Sequence, residues 1–286
     1  MATITKNTVL ITGCSEGGLG AALALAFAER DFHVFATLRN PGKAGSLASH
    51  PNIEVLSLEV TDLASISACA ASVSKVTGGK LDILVNNAGM VFLMPMLDTS
   101  IEKSKALFDV NVWGMLAVTQ AFAPMVVRSK GVILNMTSIA GAVRMAWQGV
   151  YNTSKACVRW FSETLRMEMQ GLDVRVITAM VGEVETKIYE NASQVELSLP
   201  ASSYYHSASH IISKQARGEL QAENEKVEVT AANLVRDILR GRDGHVWRGG
   251  VAGRAKYLHW MLPERFFEWF IHLGRGLNLI KAPRGD

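Results

Sequence analysis

The chain has 286 residues, of which 49% are hydrophobic and 19% charged, enough apolar material for a large buried core. Its net charge of +3 is small and its Lys and Arg residues are dispersed, so no nucleic-acid partner is expected. Cys14, Cys69 and Cys157 form no Cys-x-x-Cys pair, which speaks against a disulfide framework or a zinc site and for a reducing compartment.

The opening stretch MATITKNTVLITG runs straight into a strand-like segment, with neither a signal-peptide core nor an Arg-rich presequence, so a cytoplasmic protein is expected. Nowhere do 18 uninterrupted apolar residues occur, and no spanning helix is expected. Strands are predicted at TVLIT (8–12), HVFATL (33–38), IEVLSLEV (53–60), LDILVNN (81–87), GVILNMTS (131–138), VRVITAM (174–180) and HVWRG (245–249). Helical patterns fall between them at 20–30, 63–76, 101–127, 151–170 and 230–240. Strand and helix alternating in this way predict an α/β fold, a doubly wound parallel sheet of about seven strands with helices on both faces in one domain. Residues 1–253 form the predicted catalytic domain. Within it, 187–228 are predicted to make an excursion over the carboxyl ends of the strands. Residues 254–286 form a C-terminal extension carrying Trp260, Phe266, Phe267, Trp269 and Phe270.

After the first strand comes ITGCSEGGLG (11–20), leading into a strong helix. Backbone N–H groups at a helix start carry partial positive charge, and glycine lets phosphates approach the main chain, so a pyrophosphate cradle is one reading of this loop. Gly13, Gly17, Gly18 and Gly20 do not make a Gly-x-Gly-x-x-Gly fingerprint, so a tight turn without a ligand is the other.

Further along, NNAG (86–89) ends the fourth strand, NMTS (135–138) ends the fifth, and YNTSK (151–155) opens the following helix. Together with TGCSEGGLG these motifs resemble the short-chain dehydrogenase/reductase family, whose pattern is T-G-x3-G-x-G, then N-N-A-G, then Ser, then Y-x3-K. The resemblance runs from about residue 7 to 250 and implies a Rossmann-type fold. Against the family pattern the glycine loop is one residue long, a form similar to the fungal branch that includes NADPH-dependent acyldihydroxyacetone-phosphate reductases.

Residue by residue, the resemblance implies a cofactor site and a catalytic site. Gly13, Gly18 and Gly20 take the places of the loop glycines, Leu19 offers backbone contacts to the pyrophosphate, and Ser15 lies toward the adenosine. Asp62 matches a residue that bonds the adenine amine, although Asp before a helix is equally an N-cap. Asn87, Ala88 and Gly89 are expected along the adenosine ribose, with Asn86 tying strands together. In VGEVET (181–186), Val181 stands where the family has proline, while Val184 and Thr186 match the positions that hold the nicotinamide carboxamide.

Tyr151 and Lys155 are four apart and share one helix face. A neighbouring ammonium and an oxidised nicotinamide favour phenolate, which suits Tyr151 to exchange a proton with a substrate oxygen. Lys155 also matches the residue that bonds the nicotinamide ribose, Ser138 the one that holds the substrate carbonyl against Tyr151, and Asn111 the one that keeps a water in a proton relay. At the end of the second strand, where NAD-preferring members carry an acid, stand Leu38 and Arg39, so NADPH/NADP+ is the expected cofactor, with Arg39 and Ser15 on the 2′-phosphate. No metal is implied.

Pocket candidates by fold position are Met90, Val91, Val143, Arg144, Met145, Trp147, Met180 and the 187–228 excursion. Most are apolar, so the expected substrate is a hydrophobic ketone or aldehyde, lipid-like or a secondary metabolite, reduced to an alcohol. The reverse oxidation, C=N reduction and a non-redox rearrangement stay open, as does an NADP(H)-binding protein without turnover. Arg144 reads either as a receiver for an anionic group or as a solvated loop residue. LPERFFEWFIHLGRGLNLI in the tail is aromatic and amphipathic: it is expected either in a membrane interface, on endoplasmic reticulum or lipid droplets, or packed on the protein's own pocket or a subunit contact. A homo-oligomer is implied by the family.

Overall fold

The computed structural model describes residues 6–192 and 198–281. Residues 1–5, residues 193–197 of the expected excursion and residues 282–286 of the tail lie outside the described residues. Strand β1 (Thr8–Thr12) is buried along its whole length because helices cover both faces of a central parallel strand. Side chains alternate across it, so Val9 and Ile11 join one hydrophobic cluster and Leu10 the other. Helix α1 (Leu19–Ala28) follows the glycine loop; β2 (His33–Leu38) and β3 (Ile53–Ser57) extend the sheet on one side of β1, α2 (Leu63–Thr77) crosses back, and β4 (Ile83–Asn86) pairs with β1 on its other side.

Next come α3 (Ile101–Phe108), α4 (Met115–Ser129), β5 (Val132–Ser138), α5 (Gly149–Met169) and β6 (Arg175–Val181). The predicted excursion contains α6 (Ile188–Ala192) and α7 (Ser209–Ala216), and α8 (Val227–Leu239) returns the chain to β7 (Gly244–Arg248). Helices α9 (Ala252–Met261) and α10 (Glu264–Ile271) follow the last strand. All neighbouring strands are parallel, in the order β3-β2-β1-β4-β5-β6-β7. Residues of α1 and α8, among them Phe27 and Leu234, fill the core on one face; residues of α2 and α4, among them Val73 and Phe122, fill it on the other.

The single helix expected over 101–127 is interrupted by a π-helical turn at Asp109–Gly114. Asn111 explains the bulge, because its side chain is drawn to the chain after β4, accepting from Met90 N at 2.8 Å and donating to Met90 O at 2.9 Å. The run Ile101–Ser129 is long and apolar enough to cross a membrane by composition, but half of its most apolar window is buried in the protein, as in a core helix. Strand order reverses between β1 and β4, and there the carboxyl ends part to leave a crevice.

Candidate active site

A cleft of about 1200 Å3 occupies that crevice and runs on across the ends of β5 and β6. Its floor is a tight junction between the glycine loop and the residues after β4. Asn87 donates from Nδ2 to Thr12 O at 2.8 Å and to Gly13 O at 3.1 Å, and Thr12 Oγ1 accepts from the N–H of Asn87 and of Ala88. Gly13 has φ +75°, and a Cβ there would stand 2.9 Å from Ala88 Cα; a Cβ on Gly20 would stand 2.5 Å from both Asn87 Nδ2 and Gly13 O. Glycine at these two positions is what lets loop and strand end meet.

Gly18 caps α1 with no side-chain hydrogen bond, leaving the first-turn N–H groups facing the cleft without a protein cap. Gly13, Ser15, Gly18 and Leu19 line the cleft around them. A bare helix start ringed by glycine fits a dinucleotide's pyrophosphate. Gly20 does not line the cleft; its place is the packing against Asn87. Arg39, Asn87, Ala88, Gly89, Val184 and Thr186 line it as expected. Asp62 does not: it caps α2, accepting from Ala64 N at 2.9 Å, and the acid on the cleft wall is Glu59. The sequence places Glu59 inside a strand over 53–60, but β3 ends at Ser57, so Glu59 lies past the strand end, where Oε1 accepts from Thr61 N and Oγ1, and Oε2 stands 3.7 Å from Arg39 Nε.

Ser138, Tyr151 and Lys155 meet on the wall formed by β5 and α5. Ser138 is the last residue of its strand, its hydroxyl accepting from Ala140 N at 3.2 Å and near enough to the Tyr151 phenol to lower its pKa. Lys155 Nζ lies 5.9 Å from the Tyr151 ring centre and donates to Met136 O at 3.1 Å. Burial lowers its pKa to about 8. Burial also pushes the Tyr151 phenol well above its ordinary range, reinforced by nearby Tyr189 and only partly offset by Ser138.

Asn111 lies behind that wall. Besides its two bonds to Met90 it donates to Ser154 Oγ at 3.2 Å, so its side chain clamps the β4 end to α5 and does not line the cleft. Asn86 ties β4 to β5 and α4, donating to Asn135 Oδ1 and Thr119 Oγ1, both at 2.8 Å.

At the substrate end four of the seven residues named as pocket candidates line the cleft and three do not. Val143 lines the cleft, with Met90, Val91 and Met145. Met180 is buried within β6. Arg144 turns outward to ion-pair with Glu264 and Glu268 of α10. Trp147, at φ +67°, packs with Ala208 and Ile212 and donates its indole N–H to Arg275 O at 2.8 Å. Position along the chain put these side chains near the cleft, but contacts with the tail aim two of them away from it. In their place the cleft gains Tyr189, Gln215, Gln221 and Arg275, none of them in a motif. Gln215 donates to Ala146 O at 2.8 Å, and His272 Nε2 accepts from Ala146 N at 3.0 Å, so tail and α7 close over the 144–148 loop together. The tail's outer aromatics stay exposed, Trp260 at 83% and Trp269 at 59%.

The family model described as short chain dehydrogenase matches residues 7–196. Short-chain dehydrogenase cctT of Talaromyces islandicus is 43% identical over 280 residues, covering 98% of this chain and 99% of that one. The NADPH-dependent 1-acyldihydroxyacetone phosphate reductase of Schizosaccharomyces pombe is 38% identical over 203 residues, 70% of this chain and 68% of the other. Among solved structures, a short-chain dehydrogenase from Streptomyces avermitilis superimposes with a TM-score of 0.78 at 24% identity, covering 96% of this chain and 99% of its own.

Proposed function

The chain belongs to the short-chain dehydrogenase/reductase family of oxidoreductases, and from that premise we propose that it is an NADPH-dependent reductase of ketones or aldehydes on hydrophobic substrates. The observation that carries this reading is the meeting of Ser138, Tyr151 and Lys155 on one wall of the same cleft that the glycine loop lines. Gly13, Ser15, Gly18 and Leu19 would hold the pyrophosphate, Asn87 to Gly89 the adenosine ribose, and Val184 and Thr186 the carboxamide. When bound, a reduced nicotinamide supplies hydride to the carbonyl carbon.

The chain's own residues manage the proton. Ser138 orients the carbonyl oxygen by donating to it, and Tyr151 delivers a proton to the same oxygen. The raised Tyr151 pKa keeps the phenol protonated at neutral pH, which is the state reduction needs. Lys155, titrating near neutrality, stands behind Tyr151 as its cationic neighbour. Asn111 positions the wall through Met90 and Ser154.

NADPH preference is supported by Arg39 and by the cofactor named for the S. pombe relative. Arg39 is 79% exposed and its pair with Glu59 at 3.7 Å is loose, so a 2′-phosphate displaces that carboxylate at little cost. A panel of carbonyl compounds read by NADPH and NADH oxidation tests the reading: consumption of NADPH well above NADH with at least one member supports it, and no consumption with any member refutes it. The exposed aromatic face of α9 and α10 supports a second proposal, peripheral contact with a lipid surface. Sedimentation with anionic liposomes checks it; a protein that stays in the supernatant refutes it.

A further inference from the structure

The substrate end of the cleft holds a cation in an unusual setting. Arg275 follows α10 and reaches the cleft wall half-buried. Its backbone is held by the Trp147 indole, and the next residue, Gly276 at φ +79°, sits so tightly on α7 that a Cβ there would stand 3.0 Å from Ile211 Cδ1. Its guanidinium donates to three neutral acceptors: Ile271 O at 3.1 Å, Leu220 O at 3.1 Å and Gln215 Oε1 at 3.3 Å. Gln215 is only 5% exposed and its amide is itself fixed to Ala146, so the orientation of the fork is set by the protein.

Among the described residues no carboxylate forms an ion pair with this arginine. Glu183 is near enough for its charge to act on Arg275, but it makes no ion pair with it, and its carboxylate accepts from Glu223 N at 2.7 Å. A partly desolvated guanidinium with neutral partners is costly unless an anion joins it. Its three bonds leave one N–H on each terminal nitrogen, the pair that a carboxylate spans. Tyr189 lines the same cleft as Tyr151 and Arg275 and acts electrostatically on both.

We propose that Arg275, oriented by Gln215, is the binding point for a carboxylate on the substrate, so that the preferred substrates are carbonyl compounds bearing an acid group remote from the carbonyl. The inference deepens the reductase reading and rests on it for the word substrate, but the anion site itself is measurable without turnover. The probes are 4-acetylbenzoate and its neutral methyl ester, titrated calorimetrically into the full chain saturated with NADP+, and assayed as substrates with NADPH. The wild-type protein is expected to bind the acid at least tenfold more tightly than the ester. Arg275→Gln is expected to weaken the acid about tenfold and the ester no more than twofold, and Arg275→Lys, which keeps charge but loses the fork, to fall between.

An acid bound no better than the ester by the wild-type protein overturns the proposal, even if Arg275→Gln fails to fold. Equal weakening of both probes in a folded Arg275→Gln protein also overturns it, since a merely structural arginine would behave so. If the acid preference appears without NADPH oxidation by any carbonyl compound, the reductase reading fails and the anion site stands. If carbonyls are reduced without the preference, the reverse holds.

Discussion

The two ends of the cleft are built differently. At the nucleotide end, wall residues sit at strand ends or in the turns that directly follow, and their neighbours come from adjacent strands: Gly13 and Asn87 flank the β1/β4 pair, Ser138 ends β5, and Lys155 bonds Met136 of that strand. At the substrate end, the wall is assembled from pieces far apart in the chain. Trp147 reaches Arg275 across 128 positions, and Arg144 reaches Glu264 across 120. A parallel sheet dictates the first kind of neighbourhood, whereas side-chain packing after the last strand decides the second. The nucleotide end should therefore tolerate little change and serve any substrate, while the substrate end should discriminate between substrates.

Tyr151→Phe gives the sharpest view of the nucleotide end. It should lower kcat by at least ~100-fold, the scale for losing a general acid, with NADPH affinity and fold intact. Steady-state kinetics with fluorescence titration of NADPH check both halves, and near-normal turnover would break the proton assignment.

Lys155→Met tests whether burial there is a real cost. Because the folded pKa is depressed from 10.5 to about 8, the unfolded chain binds more protons between those values, so stability should rise with pH through that window. Below pH 8 the penalty is fully present. At pH 7, Lys155→Met should unfold at higher denaturant concentration than the wild-type protein, by roughly 1–3 kcal/mol after loss of the bond to Met136, and the pH-dependent rise should vanish while activity is lost. An unchanged pH profile of stability would show that Lys155 is better solvated than its surroundings indicate.

Arg39→Ala addresses cofactor choice. KM for NADPH should rise about tenfold, the scale of one charge-assisted hydrogen bond, while NADH use changes little. An equal effect on both cofactors would mean that Arg39 serves only its pair with Glu59.

The smallest effect belongs to the substrate end. Trp147→Phe removes the indole bond to Arg275 O and leaves the ring's packing partly in place, so KM for the carbonyl substrate should rise about three- to tenfold with NADPH affinity unchanged. A matching change in NADPH affinity would dissolve the distinction between the two ends.

How much was legible from residues alone follows the same division. Strand–helix alternation predicts the sheet, and TGCSEGGLG, NNAG, Ser138 and YNTSK place the wall, because strand ends and first helical turns are local features that a motif can encode. Asp62 and Glu59 mark the limit of that reasoning: a three-residue difference in where β3 ends exchanges a cap for a cleft residue. Asn111 is placed by its match to the family's relay Asn, but the π-helical turn that carries its side chain to Met90 depends on a contact 21 positions away.

Gln215 lies in the 187–228 excursion expected at the pocket and Arg275 in the tail expected either there or elsewhere, but no motif singles out either residue. Each is an ordinary polar residue in an amphipathic segment, and their place in the cleft comes from how α7 and the tail close over residues 144–148. The sequence by itself determined the sheet through its hydrophobic period, and the nucleotide cradle and the Ser-Tyr-Lys wall through the motifs it shares with its family. Only the tertiary structure decided what faces the substrate, because that surface arises from hydrogen bonds between segments that the chain order keeps more than 60 positions apart.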